Sequence, residues 1–120
     1  MYLNTGKLGI GTNTPQTALS VNGSITCKEV VVTMDGWADY VFNPEYSLPS
    51  IEQVESFIKT NNHLPDMPSE KDIVNNGLSL ADIVKQQMKK IEELTLYVIQ
   101  LKKENIELSK RIISLENNNE

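Results

Sequence analysis

The sequence predicts an α+β protein of fibrous character, with a β stalk over residues 1–27, a small α+β knob over 28–78 and a long coiled coil over 79–120. Three observations support this fold class. Apolar residues alternate with glycines near the N-terminus, aromatic residues cluster in the middle, and a heptad repeat fills the C-terminal third. A period of two is typical of strands, and a sustained period of 3.5 is typical of coiled coils.

Residues 5–26 have the pattern of two short strands. Every second residue is apolar or small in two runs, 8–12 and 19–25, which a turn at 13–15 separates. The glycines at 6, 9 and 11 predict positive φ or close backbone approach. A dinucleotide-binding glycine loop must open a helix, whereas Pro15 and a second strand follow here, so we do not expect nucleotide binding. Two short strands do not form a stable sheet alone, and we expect them to pair with further copies, along a longer chain or in a neighbouring subunit.

Residues 28–48 predict a second β segment, because a β-branched run at 30–32 precedes a cluster of aromatic residues. The cluster contains Trp37, Tyr40, Phe42 and Tyr46. In so small a domain, these bulky side chains favour a role in the core. The alternative interpretation is a surface that contacts a sugar or a peptide through Trp37, Tyr40 and Tyr46.

Residues 49–78 predict two short helices joined by a stiff loop. Ser50 and Ser69 each stand three residues before an amide or an acid, which is typical of a capping box. The Asn pair at 61–62 and Gly77 are expected to end the two helices. Two prolines within 63–68 favour an extended connection between them.

The cysteine and histidine content predicts no catalytic residue, no metal site and no cofactor. His63 and Cys27 are the only residues of their types. One cysteine excludes an internal disulfide and a multi-cysteine zinc site. We expect Cys27 to be a small buried hydrophobe and His63 to be structural or solvent-facing.

The net charge of −5 belongs entirely to the front of the chain. Residues 1–78 hold 4 Lys or Arg and 9 Asp or Glu, whereas residues 79–120 hold 7 of each. This acidic front argues against nucleic acid as a partner. No run of about 18 apolar residues is present, so we expect no membrane insertion. Residues 1–10 have no signal-peptide pattern, either because the chain is made without one or because it is a piece of a longer chain.

A heptad repeat begins after Ser79, which together with Asp82 has the pattern of a helix N-cap. Its d positions are Leu80, Gln87, Leu94, Leu101, Leu108 and Leu115, and its a positions are Val84, Ile91, Val98, Asn105 and Ile112. We refer to these eleven residues as the seam. Nine of the eleven are apolar, and no proline or glycine interrupts the five heptads. A stripe of this length is too long to be covered by the front of the chain, so the helix must associate with copies of itself.

The heptad pattern alone does not decide the number of chains in the coiled coil. Branched residues at a, Leu at d and Asn105 in the seam favour two chains. A second stripe of Ile99, Ile106 and Ile113 favours three, unless it packs on the front of the chain. Gln87 and Asn105 are expected to fix register and subunit number at a cost in stability.

Two segments carry a resemblance to a known family. GKLGIGTNTPQTALSVNGSI resembles a repeat found in tail-fibre-like proteins of phages and in surface proteins of the Bacteroidetes group. Residues 37–105, including HLPDMPS and KIEELTLY, resemble the C-terminal module that follows such repeats. The resemblance implies a homotrimeric fibre tip with a parallel coiled coil, which joins an upstream fibre segment. It also implies a location in a virion tail, a contractile injection system or a cell-surface fibre.

These observations lead to three functional hypotheses. The first is a non-enzymatic C-terminal trimerisation and assembly module, with a dimer as the alternative state. The second is a tip that binds a receptor on a host surface. The third is a self-cleaving intramolecular chaperone like that of phage tail spikes, which cleaves at a Ser-Asp bond near a D-x-R-x-K motif. This chain has neither feature, and its candidate nucleophiles Ser50 and Ser69 have no base placed by the sequence.

Overall fold

The computed structural model describes residues 1–37 and 39–119. It is a small α+β structure whose elements are β1 (Tyr2–Asn4), β2 (Lys7–Ile10), β3 (Leu19–Val21), α1 (Ile51–Asn61), α2 (Glu70–Asn76) and α3 (Leu80–Asn118). Ala38 of the predicted knob and Glu120 of the predicted coiled coil lie outside the described residues. The chain forms two compact units, Met1–Thr33 and Met34–Glu120.

The first unit is a three-stranded sheet in the order β1-β2-β3. β1 and β2 form an antiparallel hairpin through Thr5 and Gly6, which both have positive φ, at 47° and 77°. Two such residues are typical of the tight hairpin turn that matches the twist of the strands. The sequence predicted the two strands β2 and β3, whereas β1 was not expected.

β3 lies parallel to β2, with Leu8 opposite Leu19 and Ile10 opposite Val21. Parallel neighbours are usually joined through a helix, yet the connection here is the short loop at 11–18. Gly11 makes this path feasible, because its φ is +72° and a Cβ at this position would lie 2.9 Å from the carbonyl oxygen of Asn22. The expected close backbone approach is therefore confirmed there.

The predicted β segment over 28–48 is wrong, since no strand lies in residues 28–37 or 39–48. The run Val30, Val31 and Val32 is exposed and has no partner strand, and strand propensity depends on such packing. Cys27 is also exposed rather than buried. Within the chain, the knob is therefore built from α1, α2 and irregular segments.

The two short helices confirm the capping predictions. The Ser50 side chain accepts a hydrogen bond from the Gln53 backbone at the start of α1, and Ser69 does the same with Asp72 at the start of α2. Asn62 ends α1 in the left-handed conformation. Short-range side-chain hydrogen bonds thus determine where both helices begin.

α3 extends over 39 residues from Leu80 to Asn118. Ser79 occupies its N-cap position, as the sequence predicts, although its side chain makes no capping hydrogen bond. At about 1.5 Å per residue the helix is roughly 58 Å long. Among the described residues, Val41 is the only buried apolar side chain apart from small residues and proline, and the chain alone therefore has almost no hydrophobic core.

Candidate assembly surface

The seam forms an exposed apolar stripe along the whole of α3. Its nine apolar side chains are between 42% (Val84) and 65% (Leu80) exposed. Gln87 and Asn105 are exposed as well. Monomeric proteins rarely leave so long a contiguous apolar surface in water, and such surfaces usually mark sites of association.

The knob packs on the c, f and g positions of α3, beside the seam and not on it. In the same heptad, Lys89 and Leu96 are f residues, Glu93 is a c residue, and Lys90 and Tyr97 are g residues. All five are buried or half-buried, with Glu93 only 5% exposed. Beyond Tyr97, every described residue of α3 is exposed. The knob therefore covers one face of the N-terminal half of α3 and leaves the seam accessible.

A polar network centred on Glu93 joins the knob to α3. The Tyr46 hydroxyl donates to one Glu93 carboxylate oxygen at 3.2 Å, and Lys90 Nζ donates to the other at 2.8 Å. Asp66 lies 2.9 Å from Lys89 Nζ and 3.4 Å from Lys90 Nζ. A buried carboxylate is costly unless it is paired, and these donors satisfy both oxygens of Glu93.

The network shifts the pKa values of several of its members. The hydrogen bond from Lys89 lowers the pKa of Asp66, and this exceeds the opposing effect of partial burial. Burial acts to lower the pKa of Lys89, but the hydrogen bond and the charge of Asp66 outweigh it, so the pKa of Lys89 is raised. Burial, followed by the nearby Glu93 charge, raises the pKa of Tyr46. Each shift favours the ionisation state that the network uses at neutral pH.

Tyr97 makes a second connection between the two parts. Its hydroxyl donates to the backbone carbonyl oxygen of Pro49 at 2.6 Å. Burial, with a further effect of Glu93, raises the pKa of Tyr97 and keeps it a donor. Because Pro49, two residues before α1, is thereby fixed to α3, the knob has a defined position on the helix.

An apolar groove lies between the knob and the seam. It has a volume of about 250 Å³. Its lining residues are Pro49, Val54, Leu64, Pro65, Lys90, Ile91, Glu93, Leu94 and Tyr97. Ile91 and Leu94 belong to the seam, so the groove continues the apolar stripe sideways onto the knob.

The aromatic residues of the knob divide into two groups. Trp37, Tyr40 and Phe42 are exposed, so the expected core role is wrong for these three within the chain. Tyr46 is half-buried and lies against Tyr40, with 5.6 Å between the ring centres and the two rings tilted by 43°. The proposed contact residues Trp37 and Tyr40 are therefore accessible, whereas Tyr46 serves the polar network.

The remaining candidates have local structural partners. His63 is half-buried, lies edge-on to Phe57 and places Nδ1 2.9 Å from the carbonyl oxygen of Leu64. The Ser69 hydroxyl donates to Asp72 at 2.8 Å, and Ser50 accepts from the backbone of its own helix. The described residues contain no group of three or more metal-ligating side chains.

Sequence reasoning missed the polar network. Glu93 and Tyr46 are 47 residues apart, and no local pattern pairs them. The adjacent Lys89 and Lys90, followed by an acidic pair at 92–93, place opposite charges close together outside the seam of α3, and this was the available signal. The helical part of the described chain contains no segment long and apolar enough to cross a membrane.

Comparisons with protein-family models, with curated proteins and with solved structures gave no match.

Proposed function

We propose that this chain is a non-enzymatic C-terminal trimerisation and assembly module of a tail-fibre-like or surface fibre protein. One observation carries the proposal: the seam is exposed along all of α3, while the knob packs on the neighbouring c, f and g positions of the same helix. A helix that folded against its own domain would bury its apolar stripe there. This arrangement instead keeps the stripe free for other copies of the chain.

The energetics support association. Burying a Leu, Ile or Val side chain fully contributes about 1.5–3 kcal/mol. The apolar seam residues are roughly half exposed in the single chain, so completing their burial gives about 1 kcal/mol each. Nine such residues contribute on the order of 9 kcal/mol per chain, within the range of about 4–15 kcal/mol that association costs. Apolar residues beside the seam, and any knob surface that assembly buries, add to this sum.

The second stripe favours three chains over two. Ile99, Ile106 and Ile113 occupy b positions and are exposed, so the knob of the same chain does not cover them. The sequence left open whether this stripe packs on the knob, and that alternative does not apply within one chain. A broad apolar band is expected where each helix touches two neighbours. In the parallel arrangement, three chains would meet with Asn105 beside Asn105 and fix the register.

Solution mass tests the assembly state. We expect light scattering of the whole chain to give about three times 13.5 kDa. A mass near twice 13.5 kDa would replace the trimer with a dimer, and a monomer at all concentrations would refute the proposal.

Chain direction is tested with a terminal cysteine. In a Cys27→Ser background, Asn119→Cys places a thiol at the end of α3. Parallel chains bring these thiols together and form an inter-chain disulfide on oxidation. Antiparallel chains hold them roughly 58 Å apart, the length of the helix, and form none. The unmodified Asn119 in the same background serves as the control.

A receptor-binding tip is a second candidate, which the exposure of Trp37, Tyr40 and Phe42 favours. Exposed aromatic residues are frequent at the centre of recognition surfaces. Trp37→Ala should then leave the melting temperature unchanged and weaken adhesion to a host surface. A lowered melting temperature with unchanged adhesion would instead show that Trp37 has a packing role.

A further inference from the structure

We propose that the apolar groove between the knob and the seam holds the Thr95–Ile99 edge of α3 from a second copy of the chain. The knob would then be part of the subunit interface and not only a domain carried beside it. This inference rests on the proposed function, because it requires a parallel coiled coil.

The groove has the chemistry of a protein interface. Pro49, Val54 and Leu64 form its knob side, and Leu94 and Tyr97 form its helix side. The two charged side chains at its edge, Lys90 and Glu93, are already paired with each other at 2.8 Å. The Tyr97 hydroxyl already donates a hydrogen bond to the Pro49 carbonyl oxygen. Few polar groups are therefore left to bind a polar ligand, and an apolar occupant is favoured.

The heptad positions identify that occupant. The groove opens on the g side of α3, at Lys90 and Tyr97. In a parallel coiled coil, the g side of one helix faces the e side of the next, and equal residue numbers lie at equal height. At the height of the groove, the e residue of the neighbour is Thr95, and the b residue beside it is Ile99.

Thr95 and Ile99 form one apolar edge. They are four residues apart and therefore neighbours on the helix surface. The Thr95 hydroxyl donates to the Ile91 carbonyl of its own helix at 2.8 Å, which satisfies the hydroxyl within its own helix and leaves the methyl group for packing. Ile99 is 45% exposed and has no place in the seam. A neighbouring knob explains why an isoleucine occupies this position.

Position along the helix axis separates Ile99 from the rest of its stripe. Ile106 and Ile113 lie one and two heptads further along α3, about 10 and 21 Å away. The helix residues that line the groove extend only from Lys90 to Tyr97. Ile106 is therefore a matched control, with the same residue type, the same heptad position and 44% exposure.

Cross-linking between chains tests the inference. In the Cys27→Ser background, one sample of chain carries Leu64→Cys and a second, size-tagged sample carries Ile99→Cys. The two are unfolded, mixed, refolded and treated with a short bismaleimide. We expect a linked product that contains one chain of each kind. Replacing the second chain with Ile106→Cys should reduce this product at least tenfold.

Light scattering of the same mixtures separates the possible failures. An oligomer with no link from Leu64 to Ile99, or with equal links to Ile106, would overturn the groove assignment and leave the proposed assembly function intact. A small apolar ligand in the groove would give that same pattern. Monomeric chains would overturn both proposals. Leu64→Cys alone controls for loss of folding, because it must give the same helical circular dichroism as the parent.

Discussion

Shortening one seam residue should weaken assembly without affecting the single chain. Leu101 lies at a d position beyond the part of α3 that the knob covers, and it is 52% exposed. Leu101→Ala removes most of a side chain whose remaining half becomes buried on assembly. The loss is about 1 kcal/mol per chain, or about 3 kcal/mol for three chains. This corresponds to roughly a hundredfold weaker trimer.

Sedimentation equilibrium over a range of concentrations measures this change directly. Lys103→Ala is the matched control, because it places the same residue two positions away on the exposed f side of the helix. The control should assemble like the parent chain. The reasoning fails if Leu101→Ala and Lys103→Ala dissociate over the same concentrations, since the seam would then carry no association energy at that layer.

Three further outcomes are expected. Tyr97→Phe should lower the free energy of unfolding by about 0.5–1.5 kcal/mol, because the Pro49 carbonyl loses its donor; urea unfolding measures the loss, and an unchanged midpoint would contradict it. Asp66→Asn should cost less than about 1 kcal/mol at neutral pH, since the Asp66 side chain is 53% exposed. Because its folded pKa lies below the ordinary 3.8, the contribution of Asp66 is complete above pH 3.8 and is lost as pH falls through the folded value. The difference between parent and variant should therefore vanish in acid, and a constant difference would exclude the pairing with Lys89. Asn105→Leu should raise the melting temperature and broaden the distribution of oligomers in native mass spectrometry, and a single unchanged oligomer would show that Asn105 does not specify subunit number.

Local features were predicted well from the sequence. The capping boxes at Ser50 and Ser69 depend on residues three apart, so their signal is complete within one turn of helix. The bounds of α3 followed from an uninterrupted heptad pattern that begins after Ser79. Both kinds of signal are independent of the rest of the fold.

Features that depend on distant residues were predicted poorly. The run at 30–32 has strand propensity but no partner, so it forms no strand. The parallel pairing of β2 with β3 depends on the path of the loop at 11–18, which alternation does not specify. For the candidate surface, the seam residues were identified from periodicity. Their exposure, the groove and the Glu93 network depend on how the knob meets α3 and required the structure.

The distance along the chain between the two halves of the Glu93 network has a consequence for synthesis. Tyr46 leaves the ribosome 47 residues before Glu93, and Pro49 leaves it 48 residues before Tyr97. At about 5–20 residues per second, this delay is roughly 2–10 seconds. Throughout that interval the loops of the knob lack the helix on which they pack. The same stretch of α3 that completes the knob also carries the first seam residues, so a nascent chain gains its tertiary structure and its capacity to meet other chains almost together.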